Sequence, residues 1–440
     1  MFQRRLQEEM RFQMQGRFIR RAVGALCARL PDVALHRVPD SRRGRTRWSL
    51  RAGLNTSVTA LLCGCKSLSE AEALTAEMAP ATRAKLELRG RLPDTTLRDL
   101  LIKLAPDSLR DGLYRQIKAA HRRKALAPVG LPFGVVTMDG KVTAVRATQG
   151  IFVQPRFDAE KPYGLVRTVT ATLSSCAAKV CIDASPIPSP DNEQTHYTVA
   201  LESLIAAYGG LQLFRLVDYD AGGCSRANAS YTRECGLDYL MRVQVKSQAK
   251  LAAHMKMLLD PLSVAEADAV VCESVRGAQI RRSVYLSEQT AVWPRRTELR
   301  TIVRLLWEKL DKNGLAIESE DRYYVSSLAK DELSGHQWLS VIRGHWSVEN
   351  NCHQTWDAVL CEDERPWITS TPQGTLAVML LRRIAYNILA LYRAVTLRSA
   401  GSRLTPWRDL CRQLYNALIA ATVEQLAALR PRKPVGGLLA

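Results

Sequence analysis

The chain has 440 residues, a formal net charge of +19 and 47% hydrophobic residues. Its length allows two or three domains, and a charged content of 24% is typical of a folded protein and excludes a disordered chain. Residues 1–130 contain 26 Lys and Arg against 12 Asp and Glu and so carry +14 of the charge. Such a field attracts polyanions, above all nucleic acid; a basic surface that serves only solubility is the alternative.

The cysteines and the apolar segments indicate a compartment. Eleven cysteines occur without regular spacing, and the amino-terminal residues lack the apolar segment of a signal peptide. Both features favour reduced thiols in the cytoplasm. The most apolar segment, residues 375–395, is interrupted by Arg382 and Arg383, which predicts an amphipathic helix and not a membrane span. We therefore expect a soluble protein with no membrane partner.

Residues 1–130 are predicted to form an all-α domain. Helical patterns run through LNTSVTALLCGC, through SLSEAEALTAEM after a serine cap, and through LPDTTLRDLLIKL. Basic residues concentrate in the loop PDSRRGRTRW (39–48) and in HRRK (121–124). The Pro- and Gly-rich segment ALAPVGLPFG (125–134) follows and predicts a domain boundary.

The pattern then changes to strands. FGVVTMD, KVTAVRAT, YGLVRTVTATLSS and AAKVCIDASPI are apolar or alternating, as strands are. A helix through HYTVALESLIAAYGG precedes the strand LQLFRLVDYDAG, the helix SRANASYTRECG, the strand LDYLMRVQV and the helix SQAKLAAHMKML. The predicted order is β-β-β-α-β-α-β-α, an α/β fold with a mixed sheet in which crossover units add parallel strands.

The rest of the chain completes a division into five segments. Residues 266–332 are rich in strand patterns and predict a β-rich insertion, whereas the pattern returns to helix after residue 332. The predicted segments are a basic helical domain (1–130), the first part of an α/β core (131–265), the insertion (266–332), the last part of the core (333–398) and a basic helical tail (399–440).

Two acidic residues end predicted strands. Asp139 follows FGVVTM, and Asp220 follows LQLFRLVDY. Carboxylates that meet at the ends of neighbouring buried strands repel each other, and a divalent cation removes that cost. Oxygen ligands favour Mg²⁺ or Mn²⁺ over zinc. Asp218 is the rival for the second position because it shares a strand face with Asp220, and a turn-forming role is the alternative for each residue.

The segment GHWSVENNCHQTWDA (344–358) is the densest in reactive side chains. In a regular helix His345, Glu349 and His353 share one face because they are four residues apart, and Asp357 continues it. Such a face is able to ligate zinc, to present a carboxylate to a hard metal ion, or to be a well-packed buried helix. The spacing HxxxExxxH differs from the HExxH of zinc peptidases, which disfavours zinc.

Several motifs together resemble those of a known family. VVTMDGKV, LVDYDAGGCSRANA, LDYLMRVQVKSQ, YYVSSL and IRGHWSVENNCHQTWDAVLCEDE are similar to the DDE motif regions of insertion-sequence transposases, in the group that includes the H-repeat-associated proteins. NEQTHYTVALESLI (192–205) resembles the segment that leads into the second Asp of that family. The resemblance covers roughly residues 25–395.

The resemblance implies an RNase H-like core with a β-rich insertion between the second Asp and the Glu. It makes Asp139, Asp220 and Glu349 a metal-binding triad, and the pattern Asp-Ala selects Asp220 over Asp218. His345 would orient the carboxylate or contact the scissile phosphate. His353 and Asp357 would support the triad from behind.

The resemblance also implies partners and chemistry. Two Mg²⁺ or Mn²⁺ ions would serve metal-dependent cleavage and strand transfer of double-stranded DNA at terminal inverted repeats, in a homodimer or larger assembly at the bacterial nucleoid. The alternative function is an inactive or domesticated transposase-derived DNA-binding protein. The residues expected to contact DNA are Arg42, Arg43, Arg45, Arg47, Arg122, Arg123, Lys124, Lys141, Lys246, Arg343 and Asn350.

Overall fold

The computed structural model describes residues 23–24, 28–42, 46–157, 160–290, 293, 295–397 and 399–420. The predicted DNA-contacting residues Arg43 and Arg45 lie outside this described part. The described chain combines helices with a large mixed sheet, which confirms the α/β class.

The helices in chain order are α1 Leu50–Leu62, α2 Leu68–Glu77, α3 Pro80–Lys85, α4 Asp94–Leu101, α5 Pro106–Arg122, α6 Glu193–Tyr208, α7 Arg226–Glu234, α8 Ala249–Leu259, α9 Gly335–Ser347, α10 Gln354–Ala358, α11 Pro372–Leu391, α12 Ala400–Arg403 and α13 Trp407–Ala420. The strands are β1 Val135–Val145, β2 Val153–Arg156, β3 Tyr163–Leu173, β4 Cys181–Pro186, β5 Leu216–Tyr219, β6 Asp238–Arg242, β7 Ala269–Val275, β8 Ala278–Ser287, β9 Thr301–Leu310 and β10 Ala316–Ser326.

The chain divides into two compact units that do not follow the five predicted segments. The helical unit comprises residues 1–125, 143–166 and 354–440, and the sheet unit comprises residues 126–142 and 167–353. Strands β1 and β3 run through both units along the chain. The first boundary falls close to the predicted linker at 125–134.

The helical unit is organised around α11. This helix packs against α1 and α5, and its side chains are buried on every face from Gly374 onward. Thr371 caps its first turn and Pro372 occupies the first helical position, where a missing N–H costs nothing. The prediction of an amphipathic helix is therefore wrong. From Gly374 onward α11 is buried on every face and its charged side chains are paired inside the protein, so no polar face is exposed to solvent.

Helix α11 and its continuation to Thr396 form the only helix in the described chain that is long and apolar enough to cross a membrane by length and composition. Its most apolar 18-residue stretch is wholly buried inside the protein, as in a core helix. The two arginines that interrupt the apolar pattern, Arg382 and Arg383, are also fully buried and lie beside Glu362. The predicted sequence segment 333–398 thus belongs in part to the helical unit.

The sheet unit contains the strand order β3-β1-β5-β6-β10-β9-β8-β7, and β4 pairs with the other side of β3. Strands β1, β5 and β6 are parallel neighbours, as crossover units require. Strand β10 joins β6 antiparallel, and β9, β8 and β7 follow as antiparallel neighbours. The predicted β-rich insertion therefore extends the same sheet through β10.

The element order before the first crossover differs from the predicted one by a short strand. FGVVTMD and KVTAVRAT form the single long strand β1, and β2 is added before β3 and β4. The observed order is β1-β2-β3-β4-α6-β5-α7-β6-α8. Strand β2 pairs with the first residues of β3 inside the helical unit.

Helix α9 lies on the core of the sheet unit. Ser334 and Gln337 form a reciprocal capping box at its start. Trp338 and Ile342 pack against the apolar side chains Val135, Leu216 and Leu240 of the three parallel strands. This packing carries the last turn of α9, with His345, toward the ends of the parallel strands.

Candidate active site

Asp139 and Asp220 come together because of the register of β1 and β5. The parallel pairing ends at Met138 and Tyr219, which are register partners, so each Asp is the next residue in its chain. Asp139 is thus at the end of the paired segment but inside β1, not at the end of its strand as predicted. Asp220 directly follows β5, and its Oδ1 accepts from the backbone N–H of Gly222 at 2.9 Å.

The two carboxylates repel each other. Burial, together with the charges of Asp220 and Glu193, raises the pKa of Asp139 to about 7, although His345 opposes the shift. Because the folded pKa exceeds its ordinary value of 3.8, ionisation of Asp139 destabilises the folded state as pH rises from about 4 to 7. A cation at this position would remove that cost.

We predict that Asp139→Asn raises the melting temperature of the protein in EDTA at pH 8. The pKa shift corresponds to about 4 kcal/mol at most, which is several degrees for a chain of this size. The gain should shrink at pH 5, where much of the wild-type Asp139 is protonated. Circular dichroism melts at both pH values, with the exposed Asp331→Asn as matched control, measure it. An equal gain at both pH values would contradict the assignment.

Asp218, the alternative to Asp220 in the predicted pair of carboxylates, contacts other side chains in the structure. Its side chain is fully buried, and its Oδ2 accepts from the Thr137 hydroxyl at 3.0 Å. The same oxygen lies 3.0 Å from Nδ1 of His345. Asp218 is therefore a structural partner of His345 in this arrangement.

His345 is charged near neutral pH. Burial alone would lower its pKa, but the carboxylate of Asp218, assisted by Asp139 and Asp220, raises the pKa to about 9. The imidazolium is the positive group that faces the acidic strand ends, and its ring is held by Asp218. Its position allows it to stabilise negative charge near Asp139; the catalytic role predicted for it stays a prediction.

The segment after α9 departs from a regular helix. Residues Val348–His353 form a π-helical turn before α10 begins. A π-helical turn closes its hydrogen bonds over five residues instead of four, so the turn is wider than that of an α-helix. His345 and His353 both reach the acidic group, with Nδ1 of His353 3.5 Å from Oδ2 of Asp139, whereas Glu349 is exposed. In the described structure the two histidines thus lie beside aspartates, and Glu349 does not join them in a group of three potential metal ligands.

The carboxylate oxygens of Asp139 and Asp220 are of the kind that a hard cation prefers, but they do not enclose one. Within the described residues, no three His, Cys, Asp or Glu side chains converge closely enough to hold a metal ion. Neither the predicted triad of Asp139, Asp220 and Glu349 nor the alternative zinc ligands His345, Glu349 and His353 therefore form such a group. Asp139 and Asp220 nevertheless present oxygen atoms whose mutual repulsion a divalent cation relieves.

Glu193 is a member of the acidic group that the sequence reasoning missed. It is the first residue of α6, and the charge of Asp220, after burial, raises its pKa. The segment NEQTH that contains it was recognised only as leading into the second Asp. The sequence signal for Glu193 was its position directly after Asn192, a residue type that caps the start of a helix.

The other predicted contacts are dispersed. Asn350 and Lys246 are exposed, whereas Lys141 is buried with 6% of its surface accessible. Arg343 is exposed and forms an ion pair with Glu273 at 3.1 Å. Asp357 is half-buried and belongs to the helical unit.

The basic residues of the helical unit divide into paired and exposed groups. Arg42 forms a two-pronged hydrogen-bonded pair with Asp40, and Arg123 pairs with Asp32 through both guanidinium nitrogens. By contrast, the exposed predicted DNA-contacting residues of this unit are Arg47, Arg122 and Lys124.

A cleft with a mixed polar and apolar lining lies next to Asp220 in the sheet unit. It has a volume of about 580 Å³, and its walls include Gln194, Ala221, Arg226, Lys250 and Trp293. Two cations and an aromatic ring beside the acidic strand ends provide surroundings suited to an anionic polymer.

Comparison with known proteins shows that part of the chain is similar in sequence to curated relatives. No family model matches the chain. The chain is 26% identical over 185 residues to the H repeat-associated putative transposase YhhI of Escherichia coli strain K12, and 27% identical over 186 residues to the putative protein YbfL of the same strain. Each match covers 40% of this chain and 47% of the relative, so the chain spans about half the length of the curated relatives it matches.

Among solved structures, the chain is similar to a piggyBac transposase synaptic complex with hairpin DNA. The TM-score is 0.41 at 13% identity, with 92% of this chain and 81% of the other chain covered. The resemblance to transposases of the H-repeat-associated group, seen in the motifs, is confirmed by the names of the curated relatives.

Proposed function

We propose that the chain is a DDE-type DNA transposase of an insertion sequence, with an RNase H-like core, which cleaves transposon ends and joins them to target DNA. The observation that carries this proposal is the adjacency of Asp139 and Asp220 at the end of the paired parallel strands, with the cation His345 facing them. Similarity to a putative transposase over 185 residues supports the choice of reaction.

Asp139 and Asp220 would hold the divalent cations, Mg²⁺ or Mn²⁺, and Glu349 would be the third ligand that the family motif provides. Bound cations would activate a water or a DNA 3′-hydroxyl and stabilise the leaving oxygen. Glu349 is exposed in the π-helical turn, and in the described structure its carboxylate does not form a group of three potential metal ligands with the two aspartates.

The protein's own residues perform the remaining tasks. His345, held by Asp218, would neutralise charge on the scissile phosphate beside Asp139. The cleft with Arg226 and Lys250 would receive the DNA backbone next to Asp220. Two transposon ends must be joined to one target, so a homodimer or larger assembly on DNA, in the bacterial cytoplasm, completes the proposal.

A strand-cleavage assay tests this function directly. Purified protein is incubated with labelled DNA that carries the inverted repeats flanking its coding region, with Mg²⁺, Mn²⁺ or EDTA. Nicking at the repeat ends and joining to a target, both requiring the cation, support the proposal.

A transposase-derived DNA-binding protein without activity is the second candidate. The exposure of Glu349 and the lack of a converged three-ligand group among the described residues favour it. Specific binding of the repeats with no cleavage under any cation condition would select this function.

We predict that neutralising the exposed basic residues lowers the salt dependence of DNA binding. Each phosphate contact contributes about 0.9 to the slope of log K against log salt, so Arg47→Gln, Arg122→Gln and Lys124→Gln together should reduce it by about 3. Fluorescence anisotropy across a salt series measures the slope.

The paired arginines provide the matched control for that experiment. Arg42→Gln with Arg123→Gln should change the slope less, since Asp40 and Asp32 already neutralise these side chains. An unchanged slope in the triple variant would exclude the exposed residues from the DNA interface.

A further inference from the structure

The helical unit contains a cleft beside the start of α1. Its volume is about 520 Å³, which lies within the range of ligand sites in proteins. Two stretches of the chain form its walls, one directly before α1 and one at and after the end of α3. The lining residues are Thr46, Arg47, Trp48 and Ser49 from the first stretch and Ala84, Glu87, Leu88 and Arg89 from the second.

A left-handed turn after α3 brings Arg89 to this cleft. Glu87 has a φ of 61°, and the backbone N–H of Leu88 donates to the carbonyl of Arg83 at 2.8 Å, which ends the helix. Leu86 and Leu88 are buried on either side of the turn, whereas Glu87 and Arg89 are exposed. The core therefore holds the backbone of the turn and leaves the Arg89 side chain at the surface of the cleft.

Arg47, on the other stretch, is oriented by its neighbour. Its guanidinium carbon lies 5.7 Å from the centroid of the Trp48 ring, and Trp48 is itself buried. A contact of this kind restrains the guanidinium group, while Arg47 as a whole stays exposed to a ligand. Exposed cations that serve only solubility are the simple explanation, but solubility requires neither a cleft nor an oriented side chain.

The cleft carries an excess of positive charge. Within the described part of the helical unit, no carboxylate pairs with Arg47 or Arg89. The walls also contain Glu87, but its carboxylate is paired with Arg51 at 2.9 Å. The start of α1 adds little, because the Ser49 hydroxyl already accepts from a backbone N–H of its first turn. Two guanidinium groups without a counter-charge therefore dominate the field in the cleft, which favours an anion.

We propose that this cleft binds a phosphate group of the DNA backbone, with Arg47 and Arg89 donating to its oxygens. The inference rests on the DNA partner of the proposed function and adds Arg89, a contact that the sequence motifs do not indicate. Arginine, serine and threonine side chains are typical donors to DNA phosphates, and the hydroxyls of Thr46 and Ser49 line the same cleft. Because phosphate contacts carry no sequence information directly, the site positions the DNA and does not read its bases.

Fluorescence anisotropy of duplex DNA with the flanking inverted repeats, over a salt series, tests the site in the full-length protein. Arg89→Gln should reduce the slope of log K against log salt by about 0.9, and Arg89→Lys should retain most of the slope because it keeps the charge. Arg91→Gln is the matched control, since Arg91 lies two residues further on and is paired with Glu72. Its slope should change less than half as much.

Glu87→Gln should act in the opposite direction. It removes the carboxylate from the walls of the cleft and releases Arg51 from its pair, so DNA should bind more tightly. Weaker binding in Glu87→Gln would contradict the assignment of the cleft as a phosphate site.

Substitution of single phosphates in the DNA locates the contact. Replacing one phosphate at a time by an uncharged methylphosphonate should weaken binding of the wild type at one or two positions. At those positions the replacement should have little further effect on Arg89→Gln, because the two changes remove the same interaction. Full additivity of the two changes at every position would overturn the contact.

The outcomes separate the inference from the proposed function. An unchanged slope in Arg89→Gln, with cleavage of the transposon ends intact, would overturn the site and leave the transposase function standing. Equal losses in Arg89→Gln and Arg91→Gln would also overturn the site, since general surface charge would then account for the binding. Calorimetric binding of inorganic phosphate that Arg89→Gln abolishes, with no change in the DNA slope, would replace DNA by a free phosphate compound as the ligand. Wild-type protein that binds no duplex DNA would overturn the proposed function and the inference together.

Discussion

Asp139→Asn is expected to reduce DNA strand cleavage by about a thousandfold or more. Asparagine keeps the shape of the side chain but removes the negative charge that, with Asp220, would hold the cation. Stabilisation of transition-state charge by a bound cation is worth several kcal/mol, and about 4 kcal/mol corresponds to a thousandfold in rate. Single-turnover cleavage of a labelled transposon end measures the effect.

The stability of the same variant provides its internal control. Because ionised Asp139 destabilises the cation-free protein, Asp139→Asn should be at least as stable as the wild type, so unfolding cannot explain its inactivity. Its affinity for the transposon ends should remain within a few-fold, and Asp331→Asn should cleave normally. Cleavage above about a tenth of the wild-type rate would remove Asp139 from the catalytic site.

Glu362→Gln is expected to destabilise the helical unit by about 3–5 kcal/mol, the cost of breaking a buried ion pair from one side. Glu362, Arg382 and Arg383 are fully buried, and Arg383 donates directly to the Glu362 carboxylate. Arg383 also stacks over the ring of Trp356, with 3.8 Å between the guanidinium carbon and the ring centroid. Burial, and then the repulsion of Arg383, lower the pKa of Arg382 to about 10 despite Glu362, so the loss of Glu362 leaves two buried cations together.

Urea unfolding followed by circular dichroism measures this loss. Glu87→Gln is the matched control in the same unit, because its pair with Arg51 is exposed and worth at most about 1 kcal/mol. The triple variant Glu362→Leu, Arg382→Met and Arg383→Met should recover most of the stability, since apolar side chains of similar volume need no counter-charge. A loss below about 1 kcal/mol in Glu362→Gln would contradict the role of the buried cluster.

The parallel part of the fold was readable from the sequence. Apolar runs that end in Asp139 and Asp220 predict buried strands, and the register of β1 and β5 places these two residues side by side. Local patterns suffice here because the strand period and the crossover rule are both strict. The crossover rule likewise predicts that β6 lies parallel to β5.

The remaining parts of the site depended on features that have no local pattern. Residues Val348–His353 form a π-helical turn, and the periodicity of the sequence does not reveal such a turn. Glu193 joins the aspartates through empty space at Gly140 and Gly222, a tertiary property that no spacing in the sequence expresses.

The buried arginines of α11 misled the sequence reasoning for a related reason. The sequence pattern predicts that Arg382 and Arg383 form the polar face of an amphipathic helix, because charged residues are almost never fully buried unless paired. Their partner Glu362 lies about twenty residues earlier in the chain and was not recognisable as such before the fold was known.

The path of the chain through the two compact units limits how this protein can be taken apart. The polypeptide passes from one unit to the other four times, after residues 125, 142, 166 and 353. Neither unit is a continuous stretch, so any fragment that contains one of them whole also contains part of the other. The shortest segment that carries the whole sheet unit is 126–353, and it takes residues 143–166 of the helical unit with it. Truncation alone therefore cannot free the acidic site and its strands from the helical unit.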